Sequence, residues 1–195
     1  MEIKYPDGAT PLDPDSARGL IPRLTIQSEL NEFEQTNIQL AVEWATKSRK
    51  LKQELVSIEG IKLLHRKMFD LTWKWAGKFR QHETNLSVSW QQIPEQLKNL
   101  CEDVSYWKSH KTYPPVEAAV RFHHRLVSIH PFPNGNGRLS RLAADLLLEY
   151  GKESPLKWGA SPSLANDSAA RKEYLAALRE ADKNKYDRLI RFAQS

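Results

Sequence analysis

Apolar residues recur at intervals of three and four along most of this chain of 195 residues, which is the spacing of one helix face. The pattern predicts helices over about 25–45, 57–73, 94–108, 116–129, 139–150, 167–182 and 186–193. Pro131 comes just after the fourth segment and Gly151 just after the fifth, where each residue type commonly ends a helix. We therefore expect a mainly α fold.

Residues 79–90 depart from the helical pattern. Leu86, Val88 and Trp90 alternate with serines, which is the two-residue period of a half-buried strand. We therefore expect one short β-hairpin at about residues 79–90. Residues 1–24 are rich in proline, aspartate and glycine, so we expect irregular structure laid on the body of the domain.

Charge and cysteine content narrow the partner and the compartment. Lys and Arg outnumber Asp and Glu by 29 to 24, and the net charge of +5 favours anionic ligands. The basic residues are scattered, which argues against nucleic acid as the main partner. Cys101 is the single cysteine, so no intrachain disulfide can form and a cytoplasmic location is predicted. No apolar run reaches the roughly 18 residues of a membrane span, so we expect no membrane association.

The connection between the fourth and fifth predicted helices carries two arginines. Arg138 and Arg141 lie three residues apart in the first turn of a helix, so they share one face. The aligned peptide dipoles already make that helix end positive, and cations there are unfavourable by themselves. A multiply charged anion bound at this end accounts for both arginines, and the guanidinium fork suits phosphate oxygens.

Four further residues of this connection are candidates for chemistry. Gly135 and Gly137 let the backbone approach a ligand and present N–H groups to it, and Asn136 can donate an amide hydrogen bond. His130 precedes them at the helix end, where a neutral imidazole can take a proton from a hydroxyl nucleophile. These residues predict a site that holds a phosphorylated ligand beside a base.

The run His130-Pro-Phe-Pro-Asn-Gly-Asn-Gly-Arg138, followed by Arg141, resembles the signature of the Fic (Fido, or Fic/Doc) family, His-Pro-Phe-x-Asp/Glu-Gly-Asn-Gly-Arg-x-x-Arg. The flanking segments 61–69 and 75–80 are also similar to that family. Residues 30–38 resemble its mobile mystery protein B subgroup.

This resemblance implies a fold and a division of the chain. Residues 55–195 are expected to form a Fic-type helical bundle, with the hairpin at about residues 79–90 as its flap. Residues 1–54 are expected to form an N-terminal extension and a helix that packs on this core. In the family, the flap pairs with an extended segment of the target protein by strand addition.

The resemblance also implies an activity, that of a protein adenylyltransferase (AMPylator), which is a nucleotidyltransferase. Such an enzyme moves AMP from ATP to a Ser, Thr or Tyr hydroxyl of a target protein, with Mg²⁺ as cofactor. His130 would be the general base. The residues that would bind the nucleotide phosphates are Gly135, Asn136 and Gly137 for the α- and β-phosphates, Arg138 for the β-phosphate and Arg141 for the γ-phosphate.

Asn134 departs from the family signature, which has Asp or Glu at this position as the Mg²⁺ ligand. An amide oxygen lacks the charge that Mg²⁺ prefers, so we expect weaker metal binding at Asn134. The departure leaves other chemistries open, namely UMP or phosphocholine transfer and Doc-like kinase activity. A degenerate scaffold that acts as a partner protein of a mobile genetic element is the non-enzymatic alternative. The subgroup resemblance further implies a small antitoxin-like partner.

Many Fic proteins are silenced by a glutamate in the pattern Ser/Thr-x-x-x-Glu-Gly/Asn. Thr25 to Glu29 and Ser28 to Glu32 match the first half of this pattern but not the Gly or Asn that should follow. Glu29 and Glu32 are therefore candidates for an inhibitory glutamate. The alternative is that both face solvent on an ordinary helix.

Overall fold

The structure is a computed structural model, and it describes residues 14–24, 27–84, 87–160 and 169–195. Its α-helices are, in chain order, α1 (Pro14–Ala17), α2 (Gln27–Lys47), α3 (Arg49–Glu54), α4 (Ile58–Phe69), α5 (Ile93–His110), α6 (Pro115–Ile129), α7 (Asn136–Tyr150), α8 (Ala169–Ala181) and α9 (Asp187–Gln194). The same ranges include the 3-10 helices Trp90–Gln92 and Trp158–Ala160. The predicted mainly α fold is confirmed.

Most of the helices lie where the apolar spacing predicts them, but α4 ends at Phe69 rather than near residue 73. The predicted helix starts near residues 25 and 167 lie outside the described residues. Within the described part of the chain, no helix is long and apolar enough to cross a membrane.

The main core forms where α2, α4, α5, α6 and α7 bring their apolar faces together. Phe122, Leu126 and Ile129 of α6 are spaced by four and three residues, so they lie on one face and are buried together. Leu139 and Leu146 of α7 pack into the same core. Among the described helices, α6 and α7 make the most extensive contact, and this contact fixes the position of the turn between them.

A second core covers the opposite side of α7. Tyr174 of α8 and Phe192 of α9 are buried there beside Ala144 and Leu148 of α7. Consequently α7 packs against both cores, which fixes the position of its N-terminus.

The N-terminal segment crosses the surface near the end of α4. Backbone hydrogen bonds join Ile21 to Thr72 and Lys74 to Gly19, at 2.9 Å each, and Leu20 forms an isolated antiparallel bridge with Trp73. Further along the chain, α2 packs against α4. The buried face of a helix from the N-terminal third therefore lies next to the residues that support the turn.

The predicted β-hairpin flap at residues 79–90 is wrong, because the described parts of this segment, 79–84 and 87–90, contain no strand. Leu86, one of the three alternating residues, lies outside the described residues. The physical reason is visible at Arg80. Its guanidinium donates to the His82 carbonyl at 2.8 Å and to the Val88 carbonyl, so a side chain takes the backbone acceptors that a partner strand would use.

Gly60 in the first turn of α4 offers a test of how tightly the helices pack. A Cβ atom at this position would lie 1.8 Å from the Glu54 carbonyl oxygen at the end of α3. Alanine favours helix by about 1 kcal/mol over glycine, but the clash is larger, so we expect Gly60→Ala to lower the free energy of unfolding by ~1–3 kcal/mol.

Urea denaturation followed by circular dichroism measures this change. Gly137→Ala is the matched control, because its added methyl would meet nothing nearer than the Arg141 Nη1 atom at 3.8 Å. Equal stability of Gly60→Ala and the control would contradict the packing described for α3 and α4.

Candidate active site

The turn between α6 and α7 begins at His130. This residue ends α6 in the left-handed conformation, with φ 52° and ψ 59°, and its backbone N–H reaches the Leu126 carbonyl at 3.3 Å. Pro131 follows and cannot continue the helix. The chain re-enters a helix at Asn136, directly after Gly135, which has φ 79°.

Asn136 closes this turn from within. Its side-chain Oδ1 accepts from the Phe132 N–H at 3.0 Å, and its Nδ2 donates to the Phe132 carbonyl at 2.7 Å. The side chain is only 2% exposed. The predicted phosphate contact of Asn136 therefore depends on its backbone N–H or on its second amide hydrogen.

Gly135 is required here for two reasons. Its positive φ favours glycine, and a Cβ atom would lie 2.5 Å from the ring of Phe69, which is buried beneath the turn. At Gly137, in contrast, an added Cβ atom would have room, with the Arg141 Nη1 atom 3.8 Å away. Gly135 caps α7 without any side-chain hydrogen bond, so the first backbone N–H groups of α7 remain available to an anion.

His65 of α4 supports the turn from below, a role that was not predicted although segment 61–69 resembles the family. Its Nδ1 accepts from the Gly77 N–H at 2.9 Å, so Nε2 carries the proton and donates to the Asn134 carbonyl at 3.1 Å. The ring also stacks on Phe132, with 3.8 Å between centroids. Burial lowers the pKa of His65 to about 3, which keeps the ring neutral.

Arg138 forms an ion pair that no local feature of the sequence indicates. Its Nη1 donates to Glu34 Oε2 of α2 at 2.6 Å, and its Nη2 donates to Asn134 Oδ1 at 3.3 Å. The other Glu34 oxygen accepts from Trp73 Nε1 at 2.7 Å. Glu34 is 6% exposed, so this carboxylate is buried with both oxygens bonded.

The two glutamates proposed as inhibitory occupy a different position on α2. Glu29 and Glu32 are exposed, whereas the carboxylate that pairs with a motif arginine belongs to Glu34. No local signal distinguishes Glu34, because its partner Arg138 is 104 residues away in the sequence. Only the packing of α2 near the turn brings the two together.

Arg141 contrasts with Arg138, because it has no carboxylate partner within 4.0 Å in the described ranges. Its guanidinium lies over the ring of Tyr174, 5.6 Å from the centroid. The Tyr174 hydroxyl is in turn 3.2 Å from Nε2 of the buried His123. Neutral aromatic groups therefore hold Arg141 beside the open end of α7, and its charge is free to bind an anion.

His130 lies against a positive neighbour. Arg80 Nε donates to the His130 carbonyl at 2.7 Å, and the Arg80 backbone N–H donates to the Pro131 carbonyl at 2.9 Å. Burial, followed by the charge of Arg80, lowers the pKa of His130 to about 4. The imidazole is therefore neutral at pH 7, which is the form that can accept a proton.

The surroundings of Asn134 do not fit a Mg²⁺ site. Its side-chain oxygen already accepts from the Gly135 N–H and from the Arg138 guanidinium, which places a positive charge where the ion would bind. In the described part of the chain, no three His, Cys, Asp or Glu side chains come together as metal ligands. The predicted role of Asn134 as a weak metal ligand therefore has no support in this geometry.

Comparison with known proteins identifies a family whose model covers the turn between α6 and α7. The model of the Fic/DOC family matches residues 55–148, which include His130 and both motif arginines. Residues 55–148 belong to the Fic/DOC family. The confirmed fold is accordingly Fic-like and mainly helical, without the predicted hairpin.

Named relatives extend the family match. The "Protein adenylyltransferase Fic" of Nematostella vectensis is 29% identical over 126 residues, which is 63% of this chain and 30% of that protein. The "Uridine 5'-monophosphate transferase" of Xanthomonas campestris is 39% identical over 64 residues, or 29% of this chain and 12% of that protein. This chain thus spans less than a third of the length of either relative.

A solved structure shows the same architecture. The structure of Fic-1 (residues 134–508 of that protein) from Caenorhabditis elegans superposes with a TM-score of 0.63 and 26% sequence identity, and the match covers 91% of this chain and 51% of that chain. The shared fold extends beyond residues 55–148, which are the part that the family model matches.

The lowered pKa of His130 is directly measurable. Unfolded histidine takes up a proton near pH 6.5, while folded His130 does so near pH 4. Between these values the unfolded state binds more protons, so His130 makes the free energy of unfolding fall as the pH falls from about 6.5 to about 4. We expect an NMR titration of the His130 ring, assigned with His130→Asn, to have its midpoint at about 4. A His130 midpoint at 6 or above would contradict the described burial.

Proposed function

We propose that this protein is a protein adenylyltransferase that moves AMP from ATP to a Ser, Thr or Tyr hydroxyl of a target protein. One observation carries the proposal. Arg138 and Arg141 lie within the first two turns of α7, whose N-terminus is uncapped, and His130, whose imidazole is neutral, ends the preceding helix. An anion site next to a proton acceptor suits transfer of a phosphate-linked group, and the adenylyltransferase relatives support AMP as that group.

The proposed reaction assigns each residue a step. The backbone N–H groups at Asn136 and Gly137 bind the α- and β-phosphates, and that of Gly135 joins them once it leaves the Asn134 side-chain oxygen. Arg138 holds the β-phosphate, and Arg141 holds the γ-phosphate. His130 takes the proton of the target hydroxyl, whose oxygen attacks the α-phosphorus. The bond from that phosphorus to the bridging oxygen of the β-phosphate breaks, and pyrophosphate leaves with its charge held by the arginines.

Glu34 adds a condition to this scheme. Its carboxylate already occupies one edge of the Arg138 guanidinium, so the β-phosphate must share or displace that contact. Because Glu34 also holds Trp73, it fixes the starting position of Arg138 before a nucleotide arrives. We propose that Glu34, rather than the exposed Glu29 or Glu32, is the carboxylate that competes with bound nucleotide.

The target protein is proposed to dock along residues 79–84 and 87–90. Arg80 bonds this segment to the carbonyl of His130, so a polypeptide lying along it has its hydroxyls near the base. The described backbone there is irregular, and docking does not require a hairpin. The chain itself supplies no Mg²⁺ ligand at Asn134, so no step of this mechanism uses an ion held by the protein.

UMP transfer is the second candidate, and the Xanthomonas relative named as a uridine monophosphate transferase favours it. The same turn serves both donors, because its contacts are to phosphates and not to a base. Phosphocholine transfer, kinase activity, the non-catalytic scaffold, the antitoxin-like partner and the mobile mystery protein B subgroup stay predictions. The division into residues 1–54 and 55–195 and the cytoplasmic location also stay predictions.

The proposed function is tested by incubating the protein with Mg²⁺ and α-labelled ATP or UTP, both alone and in cell lysate. The incorporated label is followed, and the modified proteins are identified by intact-mass spectrometry. His130→Ala should slow labelling by ~10²–10⁴, which is the usual contribution of a general base. His110→Ala is the matched control, because His110 is exposed on α5.

Labelling from ATP by wild type and by His110→Ala, lost in His130→Ala, is the expected result. Labelling only from UTP would show that UTP, and not ATP, is the nucleotide donor. Equal labelling by all three proteins would remove His130 as the base, and no labelling from any donor would contradict the transferase proposal.

A further inference from the structure

A groove of about 780 Å³ opens on the side of the domain formed by the end of α4 and the start of α5. Segment 79–81 and the 3-10 helix at Trp90 form one of its walls. Four cationic side chains besides Arg80 line it, namely Lys62, Arg66, Lys74 and Lys78. We call this cavity the basic groove.

The charge of the basic groove is not neutralised from within. Asp70 is the single carboxylate among its lining residues, and Lys62 is bonded to Glu59 at 3.3 Å. Arg66, Lys74 and Lys78 are exposed, and none of the three has a carboxylate within 4.0 Å in the described part of the chain. Three unpaired cations facing one concave surface form a site for an anionic partner.

Apolar surface lies between these cations. Trp90 is 36% exposed and Ile21 is 46% exposed, and both line the basic groove. The half-buried ring of Phe79 also lines it, with the Lys62 ammonium 5.6 Å from its centroid. A small inorganic anion would leave this apolar surface uncovered, whereas a peptide with acidic and apolar side chains would cover both parts.

The position of the basic groove connects it to the proposed chemistry. Arg80 forms part of its wall, and the same side chain donates to the carbonyls of His130 and Ile129 at the end of α6. Each guanidinium nitrogen of Arg80 already donates to an acceptor of the chain, so Arg80 positions the backbone at the end of α6 rather than binding a partner. The Arg80 side chain therefore links the wall of the groove to the backbone of the residue proposed to activate the target hydroxyl.

We propose that the basic groove binds an acidic segment of the protein that receives the nucleotide. This inference rests on the proposed function, because it identifies the class of target. A peptide fits better than a nucleic acid, since binding of single strands uses successive aromatic platforms and this groove exposes one indole, that of Trp90. The groove is also a local concave surface, whereas the other basic residues of the chain are scattered.

The test is a binding measurement that needs neither nucleotide nor catalysis. A fluorescein-labelled peptide of Glu and Leu residues is titrated with the full chain and followed by fluorescence anisotropy, beside a peptide of equal length with Gln in place of Glu. The double variant Lys74→Glu with Lys78→Glu reverses two exposed charges of the groove. The matched control, Lys183→Glu with Lys185→Glu, makes the same change of charge in the exposed turn after α8.

We expect the acidic peptide to bind wild type more tightly than the Gln peptide, and the groove variant to lose at least about ten-fold in affinity while the control changes little. Affinity should also fall as salt rises from about 0.1 M to 1 M, because the screening length shortens from about 10 Å to about 3 Å. Equal binding of both peptides, or equal losses in both variants, would overturn the proposal.

A labelled oligothymidine strand serves as the second probe. If the strand bound more tightly than the acidic peptide and lost its affinity only in the groove variant, the groove would be a nucleic-acid site and the proposal would be wrong. Since these readouts do not involve His130, a failed groove leaves nucleotide transfer standing, and a failed transferase assay leaves the peptide-binding result intact.

Discussion

Two hydrogen bonds between the Asn136 side chain and the Phe132 backbone fix the turn on which the site depends. They replace the backbone pairing that a tight turn of this shape lacks, and they do so in a buried place where unpaired groups would be costly. The turn can therefore end one helix and begin the next while the first N–H groups of α7 stay uncapped. Every proposed phosphate contact starts from that open helix end.

Support for the turn comes from three distant parts of the chain. His65 holds the Asn134 carbonyl, Arg80 holds the carbonyls at the end of α6, and Glu34 holds Arg138. Each of these contacts is made by a buried side chain, so the geometry exists before a ligand binds. A preorganised set of donors is what gives electrostatic stabilisation its effect in a reaction that develops negative charge.

Positive groups outnumber carboxylates around the turn. Arg80, Arg138, Arg141 and the end of α7 are positive, and burial keeps His65 and His130 neutral. Glu34 pairs with Arg138, whereas Arg141 has only the more distant charge of Asp145 and no carboxylate within 4.0 Å in the described part of the chain. This imbalance is unfavourable in isolation and becomes favourable once a polyphosphate occupies the turn.

Local sequence patterns predicted the features that depend on neighbouring residues, namely the helices and the turn. The apolar spacing located most helices, and the run from His130 to Arg141 identified the turn and its chemistry. Glu34, His65 and Arg80 could not be found in this way, because their partners lie 104, 69 and 50 residues away. The predicted hairpin was wrong for a related reason. Alternating residues do not reveal whether a partner strand or a single arginine will donate hydrogen bonds to the backbone carbonyls.

Isothermal titration of ATP and ADP tests the central claim, that the open end of α7 binds a nucleotide through its phosphates. Arg141→Ala is compared with wild type and with Arg179→Ala, which removes an exposed arginine of α8 as the control. We predict that Arg141→Ala weakens ATP binding by about ten-fold, to the level of ADP, and leaves ADP binding unchanged, because a charged hydrogen bond is worth about 1.5–3 kcal/mol. An ATP affinity that is the same in all three proteins, or no nucleotide binding at all, would contradict the account.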